Sequence, residues 1–125
     1  MSGLTGRRIL IVEDEMLIAL RLQGMLEVLG YQIAGRARTV ADALAIVETD
    51  TQGLDAATLD INLGGEHANS VAAALEAHGI PFIITTGYDD PKLFGFQGRP
   101  VVHKPFVPEQ LEQALRSLEL LGGGR

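Results

Sequence analysis

Four short stretches of this chain carry side chains that can do chemistry together: Glu13-Asp14-Glu15, Asp60 with Asn62 close behind, Thr86-Gly87, and Lys104-Pro105. Carboxylates, a hydroxyl, an open backbone N–H and an ammonium make a phosphoryl-transfer set. A hard dication such as Mg²⁺, for which Mn²⁺ could substitute, takes oxygen ligands from one or two carboxylates plus phosphate and water. Glu13 and Asp14 would hold it, with Asp60 and the backbone carbonyl of Asn62 completing the protein ligands. Asp60 is also a candidate nucleophile, giving an acyl phosphate. Thr86 and the Gly87 N–H would hydrogen-bond phosphoryl oxygens, and Lys104 would balance their charge. Two carboxylates about 4 Å apart repel by about 4 kcal/mol at an effective dielectric near 20. A cluster of three therefore needs a cation or raised pKa values. Lys104 neutralises one charge and leaves room for a dication.

Each stretch alone has a bland reading. An acidic run after a strand suits a helix dipole, Asp60 can cap a turn, Thr86-Gly87 is a turn signal, and lysines commonly precede loops. Their order along the chain is what the bland readings leave unexplained, because each follows a strand-like run. Arg7 to Val12 is a compact apolar run that suits a buried strand. Glu15 to Leu29 then places Ile18, Leu22, Met25, Leu26 and Leu29 on one helical face, with Gly30 as its stop. Tyr31 to Arg38 reads as an edge strand, and Thr39 can cap a helix through Glu48 with Ala43, Leu44 and Val47 inward. Leu54 to Leu59 is a third strand, Asn69 or Ser70 can cap a helix over Val71 to Ala77, and Gly79 ends it. Ile80 to Thr85 is a fourth strand and Val101 to His103 a short fifth. Pro108 to Leu121 is a last helix with Leu111, Ala114, Leu115, Leu118 and Leu121 aligned. Pro91, Gly95 and Gly98 between the fourth and fifth strands predict a short or irregular fourth helix there.

Strands alternating with helices mean βαβ units, an α/β fold with a doubly wound, five-stranded parallel sheet covered on both faces. In such sheets ligands bind beyond the carboxyl ends of the strands, which is where all four stretches fall.

The 125 residues suit one domain, expected over residues 5–121, with Gly122-Gly123-Gly124-Arg125 as a flexible tail. A formal net charge of −6 disfavours nucleic acid and anionic membranes as partners. The absence of cysteine excludes disulfides, thiolate metal sites and a Cys nucleophile. No apolar run approaches the roughly 20 residues of a membrane span, and a cytoplasmic protein is expected. His67, His78 and His103 show no ligand spacing for zinc.

The motifs Ile9-Leu10-Ile11-Val12-Glu13-Asp14-Glu15, Leu59-Asp60-Ile61-Asn62-Leu63, Thr86-Gly87 and Lys104-Pro105-Phe106 together resemble a response-regulator receiver domain of bacterial two-component signalling. The resemblance covers about residues 5 to 121. It implies a flavodoxin-like sheet of order 2-1-3-4-5 and a phosphoprotein in which Asp60 accepts a phosphoryl group from a sensor histidine kinase or phosphotransfer protein. It implies Mg²⁺ at the acidic pair Glu13 and Asp14, a switch hydroxyl at Thr86, and Lys104 before a cis Pro105. The stretch Asp60 to Glu66, with Ile80-Pro81-Phe82 and Thr85-Thr86-Gly87-Tyr88, is similar to receivers that partner HWE-type histidine kinases in alphaproteobacterial stress and light signalling. One departure concerns the switch: receivers commonly carry an aromatic three residues before the lysine, and here Val101 stands there. Tyr88, Phe94 or Phe96 are alternative reporters of the switch. The reading is a single-domain response regulator acting as a switch, relay or phosphate sink, not an enzyme beyond its own phosphotransfer and autodephosphorylation. Two alternatives stand beside it: a Mg²⁺-dependent phosphohydrolase with an aspartyl-phosphate intermediate, and a receiver-like interaction module that takes no phosphate. Oligomeric state, cognate kinase and output are not legible in the sequence.

Overall fold

The computed structural model describes residues 6–49, 53–64, 66–87 and 99–122. In chain order the elements are β1 (Arg8–Val12), α1 (Met16–Val28), β2 (Gln32–Ala37), α2 (Val40–Thr49), β3 (Ala56–Asp60), β4 (Asn62–Leu63), β5 (Glu66–His67), α3 (Asn69–Ala77), β6 (Phe82–Thr86), β7 (Val101–His103) and α4 (Pro108–Gly122). Five strands form one parallel sheet in the order β2-β1-β3-β6-β7, and β4 and β5 pair separately as a small antiparallel hairpin. With the hairpin set aside, this is the doubly wound 2-1-3-4-5 order.

The strands alternate side chains between two cores, as a pleated sheet must. Leu10, Val12, Ala57, Leu59, Phe82 and Ile84 face one side, where Ala43 and Val47 of α2 and Val71, Ala72 and Leu75 of α3 cover them. Ile9, Ile11, Ala56 and Ile83 face the other, under Ala19, Leu22 and Leu26 of α1 and Leu111, Ala114, Leu115 and Leu118 of α4. Each fully buried leucine contributes about 1.5–3 kcal/mol, so helices on both faces hold the sheet. Among the described residues no helix is long and apolar enough to cross a membrane.

Local chemistry sets the boundaries. Gly30 (φ +102) and Gly79 (φ +69) end α1 and α3 in the left-handed conformation that glycine takes at least cost. Thr39 Oγ1 accepts the Asp42 N–H at 3.0 Å, the expected cap of α2. Asp55 lies just before β3 and clips it to β1: its carboxylate accepts the Arg8 N–H at 2.8 Å, and its own N–H donates to the Arg8 carbonyl at 2.9 Å. Between β1 and β2 the register slips by one residue, so that Ile9 pairs with Ile33 but Leu10 with Gly35. Gly35 has room for this close approach, with Ile46 and Leu10 methyls 3.8 and 3.9 Å from where a Cβ would stand.

Three details differ from the expectations. Neither Asn69 nor Ser70 caps α3; both lie inside the helix, and Ala68 is the N-cap without a side-chain bond. Ala68 is buried in the core and accepts the Ala72 N–H at 3.0 Å, so packing rather than capping chooses where this helix begins. The β4–β5 hairpin was not anticipated. In α1, Leu17 is 81% exposed and Met16 and Leu20 are also exposed, while Ile18, Met25 and Leu29 are only partly buried. The segment expected to hold a short fourth helix, with Tyr88, Phe94 and Phe96, lies outside the described residues, as do the side chains of His67 and Leu121.

Candidate functional site

Parallel register delivers the chemistry to one rim. Val12 pairs with Leu59, Asp60 with Thr85 and Thr86 with His103. The residues at or just past these strand ends are therefore Glu13, Asp60, Thr86 and Lys104. The backbone locks the arrangement: Glu13 N–H donates to the Ala37 carbonyl at 2.9 Å and Lys104 N–H to the Thr86 carbonyl at 2.8 Å.

The Lys104 ammonium bridges two buried carboxylates, 2.9 Å from Asp60 Oδ2 and 2.8 Å from Glu13 Oε1. Asp60 Oδ1 accepts the Asn62 N–H at 3.0 Å, and Glu13 Oε2 accepts the Glu15 N–H at 3.2 Å. Glu13 is 1% exposed and Asp60 3%. Above Asp60 opens a cleft of about 260 Å³ lined by Asp14, Glu15, Asp60, Asn62, Gly64, Thr86, Gly87 and Lys104. Glu13 is absent from that lining and stands behind it, with both oxygens engaged. Burial pushes its carboxyl up to about 7, helped by the nearby Asp60 charge and opposed by the Lys104 hydrogen bond. Burial alone would lower Lys104, but its bonds to Glu13 and Asp60 outweigh that, and the ammonium is held above its ordinary value.

The donor set fits a hard dication. Carboxylate oxygens of Glu13, Asp14 and Asp60 lie within 4.8 Å of one another, against one lysine that reaches only Glu13 and Asp60. Asp14 is half-buried and lines the cleft, and among the described residues no lysine or arginine pairs with it, which leaves the oxygen-rich, negatively charged surrounding that Mg²⁺ prefers.

All the residues read as a site from the sequence thus meet at one rim, with Glu13 set behind the cleft instead of in its wall. The Lys104–Pro105 peptide bond is cis. Val101 is half-buried and packs against the core on the α2/α3 side of the sheet. Sequence reasoning missed Gly64, which lines the cleft at φ +58 and whose added Cβ would lie 3.6 Å from Asp14 Oδ2. It turns the chain between the paired Leu63 and Glu66, and Gly64-Gly65 between those residues was the available hairpin signal.

Comparison with known proteins agrees with this geometry. A family model described as response regulator receiver domain matches residues 9–116. The phyllosphere-induced regulator PhyR of Methylorubrum extorquens is 34% identical over 110 residues, 86% of this chain but 41% of the relative, so the chain spans under half of that protein. The solution structure of SdrG from Sphingomonas melonis is 50% identical, with a TM-score of 0.81 over 94% of this chain and 98% of that one. A BeF3-activated conformation of SdrG matches the same shares at a TM-score of 0.77.

Proposed function

Because the chain belongs to the response-regulator receiver family, and so is a signalling regulator rather than an enzyme, we propose that Asp60 is its phosphoacceptor. The observation that carries this reading is the Asp60 carboxylate at the cleft floor, one oxygen on the Lys104 ammonium and the other on the Asn62 N–H. An Asp60 oxygen attacks phosphorus, the new O–P bond forms as the donor's bond to phosphorus breaks, and the leaving group keeps the electron pair. Thr86 and the Gly87 N–H, on the cleft wall, donate hydrogen bonds to phosphoryl oxygens as charge builds there. Lys104 moves its attraction from the carboxylate to the phosphoryl group, and Glu13 keeps the ammonium in place. Asp14, Asp60 and the Asn62 carbonyl, with the Glu13 carboxylate behind them, would hold Mg²⁺, which when bound supplies positive charge to the transferring oxygens.

The donor partner is a sensor histidine kinase or phosphotransfer protein, and the likeness to PhyR and SdrG supports the HWE-kinase subgroup. Leu17 lines a groove of about 430 Å³ with Ile18, Arg21, Pro105 and Phe106, next to Lys104 and Gly87. That exposed apolar surface beside the acceptor suits a protein partner. A relative that takes a BeF3-activated conformation further supports an activation switch. The module spans residues 5–121 with a glycine tail, acts in the cytoplasm, and serves as switch, relay or phosphate sink. The phosphohydrolase alternative lacks a general acid, since Asn62 stands two residues after Asp60.

Intact mass after incubation with acetyl phosphate tests the reading. One phosphoryl adduct that requires Mg²⁺ and vanishes in Asp60→Asn is expected. An undiminished adduct on Asp60→Asn would refute the assignment, and neither adduct nor released phosphate would leave a pure interaction module.

A further inference from the structure

A second groove opens beside the acceptor cleft. Its volume is about 590 Å³, and Asp14, Arg38, Thr39, Asp42, Leu63 and Gly64 line it. Asp14 and Gly64 also line the cleft over Asp60, so the two spaces share a wall. Five of the six lining residues are polar or glycine, unlike the apolar groove on the α1 side.

Arg38 follows directly on β2 and is exposed. Among the described residues it makes no hydrogen bond or ion pair, although two carboxylates line the same groove. Several other cations among the described residues are committed. Lys104 is shared by Glu13 and Asp60, Arg36 donates to Gln23, and Arg99 pairs with Glu76. Arg21, the other uncommitted arginine near the rim, stands in the apolar groove.

This matters because of the charge an incoming donor meets. Asp14, Glu15 and Asp60 face the cleft with Lys104, and a dication there only cancels their remaining charge, so a phosphodonor dianion approaching a chain of net charge −6 meets no net attraction from the lining. A nearby free cation supplies that attraction, and a guanidinium fork also suits carboxylate and phosphoryl oxygens.

We propose that Arg38 is a positioning residue for the phosphoryl donor: its charge draws the phosphoryl dianion of a compact acyl phosphate towards the cleft, while the polar groove beside it seats the donor's uncharged acyl end. The proposal rests on Asp60 as acceptor: the Asp60 O–P bond forms, the donor's bridging P–O bond breaks, and the departing carboxylate keeps the bonding pair. A unit cation about 8 Å from a dianion in water raises its local concentration about five-fold unscreened, and about two-fold at physiological salt.

The test is the rate of adduct formation by the whole chain in Mg²⁺, with acetyl phosphate and with the less negatively charged phosphoramidate. Arg38→Ala is expected to slow acetyl phosphate about five-fold at low ionic strength, with the loss shrinking as salt is added. Arg38→Lys restores most of the rate, phosphoramidate is affected less, and Arg36→Ala leaves both donors unchanged. Equal rates for Arg38→Ala and the unsubstituted chain overturn the proposal. So does a loss equal for both donors, insensitive to salt and not restored by lysine, because that marks a damaged rim. An unsubstituted chain that gives neither adduct nor released phosphate with either donor overturns the acceptor reading itself, whereas phosphorylation indifferent to Arg38 overturns only the groove.

Discussion

A glutamate sealed behind the cleft adds to the metal-free protein a contribution to stability that falls as pH rises. Glu13 is raised from 4.5 to about 7 by burial first and by Asp60 second. Below pH 4.5 it is protonated in both folded and unfolded chains and has no effect. Between 4.5 and 7 the unfolded chain gives up the proton while the folded one keeps it, so the folded state binds more protons and stability declines with pH. Above 7 the full penalty is present. A shift of 2.5 units corresponds to about 3 kcal/mol, of which about 2–3 kcal/mol develops between pH 5 and pH 8. For a domain of this size that is about 10 °C in Tm. The perturbation is Glu13→Gln, which keeps the shape and removes the titration. Denaturant unfolding of both proteins in chelator, at pH 5 and pH 8, cancels in the difference the titrating groups that do not touch Glu13. The variant should gain about 2–3 kcal/mol relative to wild type on going from pH 5 to pH 8. A difference between the two proteins that does not change with pH would refute the buried-charge reasoning.

Three other outcomes follow from the structure. Asp60→Asn removes the neighbouring charge that helps raise Glu13, so the Glu13 midpoint, followed by carboxyl NMR in chelator, should move down from about 7. Thr58 is 1% exposed and its Oγ1 has no partner among the described residues. Thr58→Val keeps the shape, discards the orphan hydroxyl and should raise stability by about 1 kcal/mol in urea unfolding; a loss would mean that the hydroxyl is satisfied. Thr39→Ala removes the α2 cap and should cost about 1 kcal/mol, measured the same way.

The sheet order and the rim were legible because buried strands write themselves as compact apolar runs, and because a parallel sheet sends each strand's successor residue to the same edge. Glu13, Asp60, Thr86 and Lys104 could therefore be grouped from order alone. What order cannot carry is side-chain direction. Glu13 and Asp14 are adjacent, yet one is sealed against Lys104 and the other faces the cleft, a distinction set by the opposite faces of neighbouring residues. The β4–β5 hairpin escaped because two-residue strands have no period to detect. Likewise the start of α3 followed the burial of Ala68, a tertiary effect that overrode two good capping residues. The groove at Arg38 is assembled from three separate loops and helix starts, so no local pattern announces it.

The one-residue slip between β1 and β2 acts outward as well as inward. β2 is an outer strand of the sheet, and an outer strand offers unpaired backbone groups to any passing chain. Ala34 is the extra residue in the slip, and a bulge of this kind bends and twists the strand that carries it. A straight strand from another molecule meets hydrogen-bonding groups that fall out of step halfway along, beside the exposed Gln32 and Arg36. The irregularity that interrupts pairing within the molecule thereby discourages growth of the sheet between molecules, and a domain crowded among its copies keeps this border closed to them.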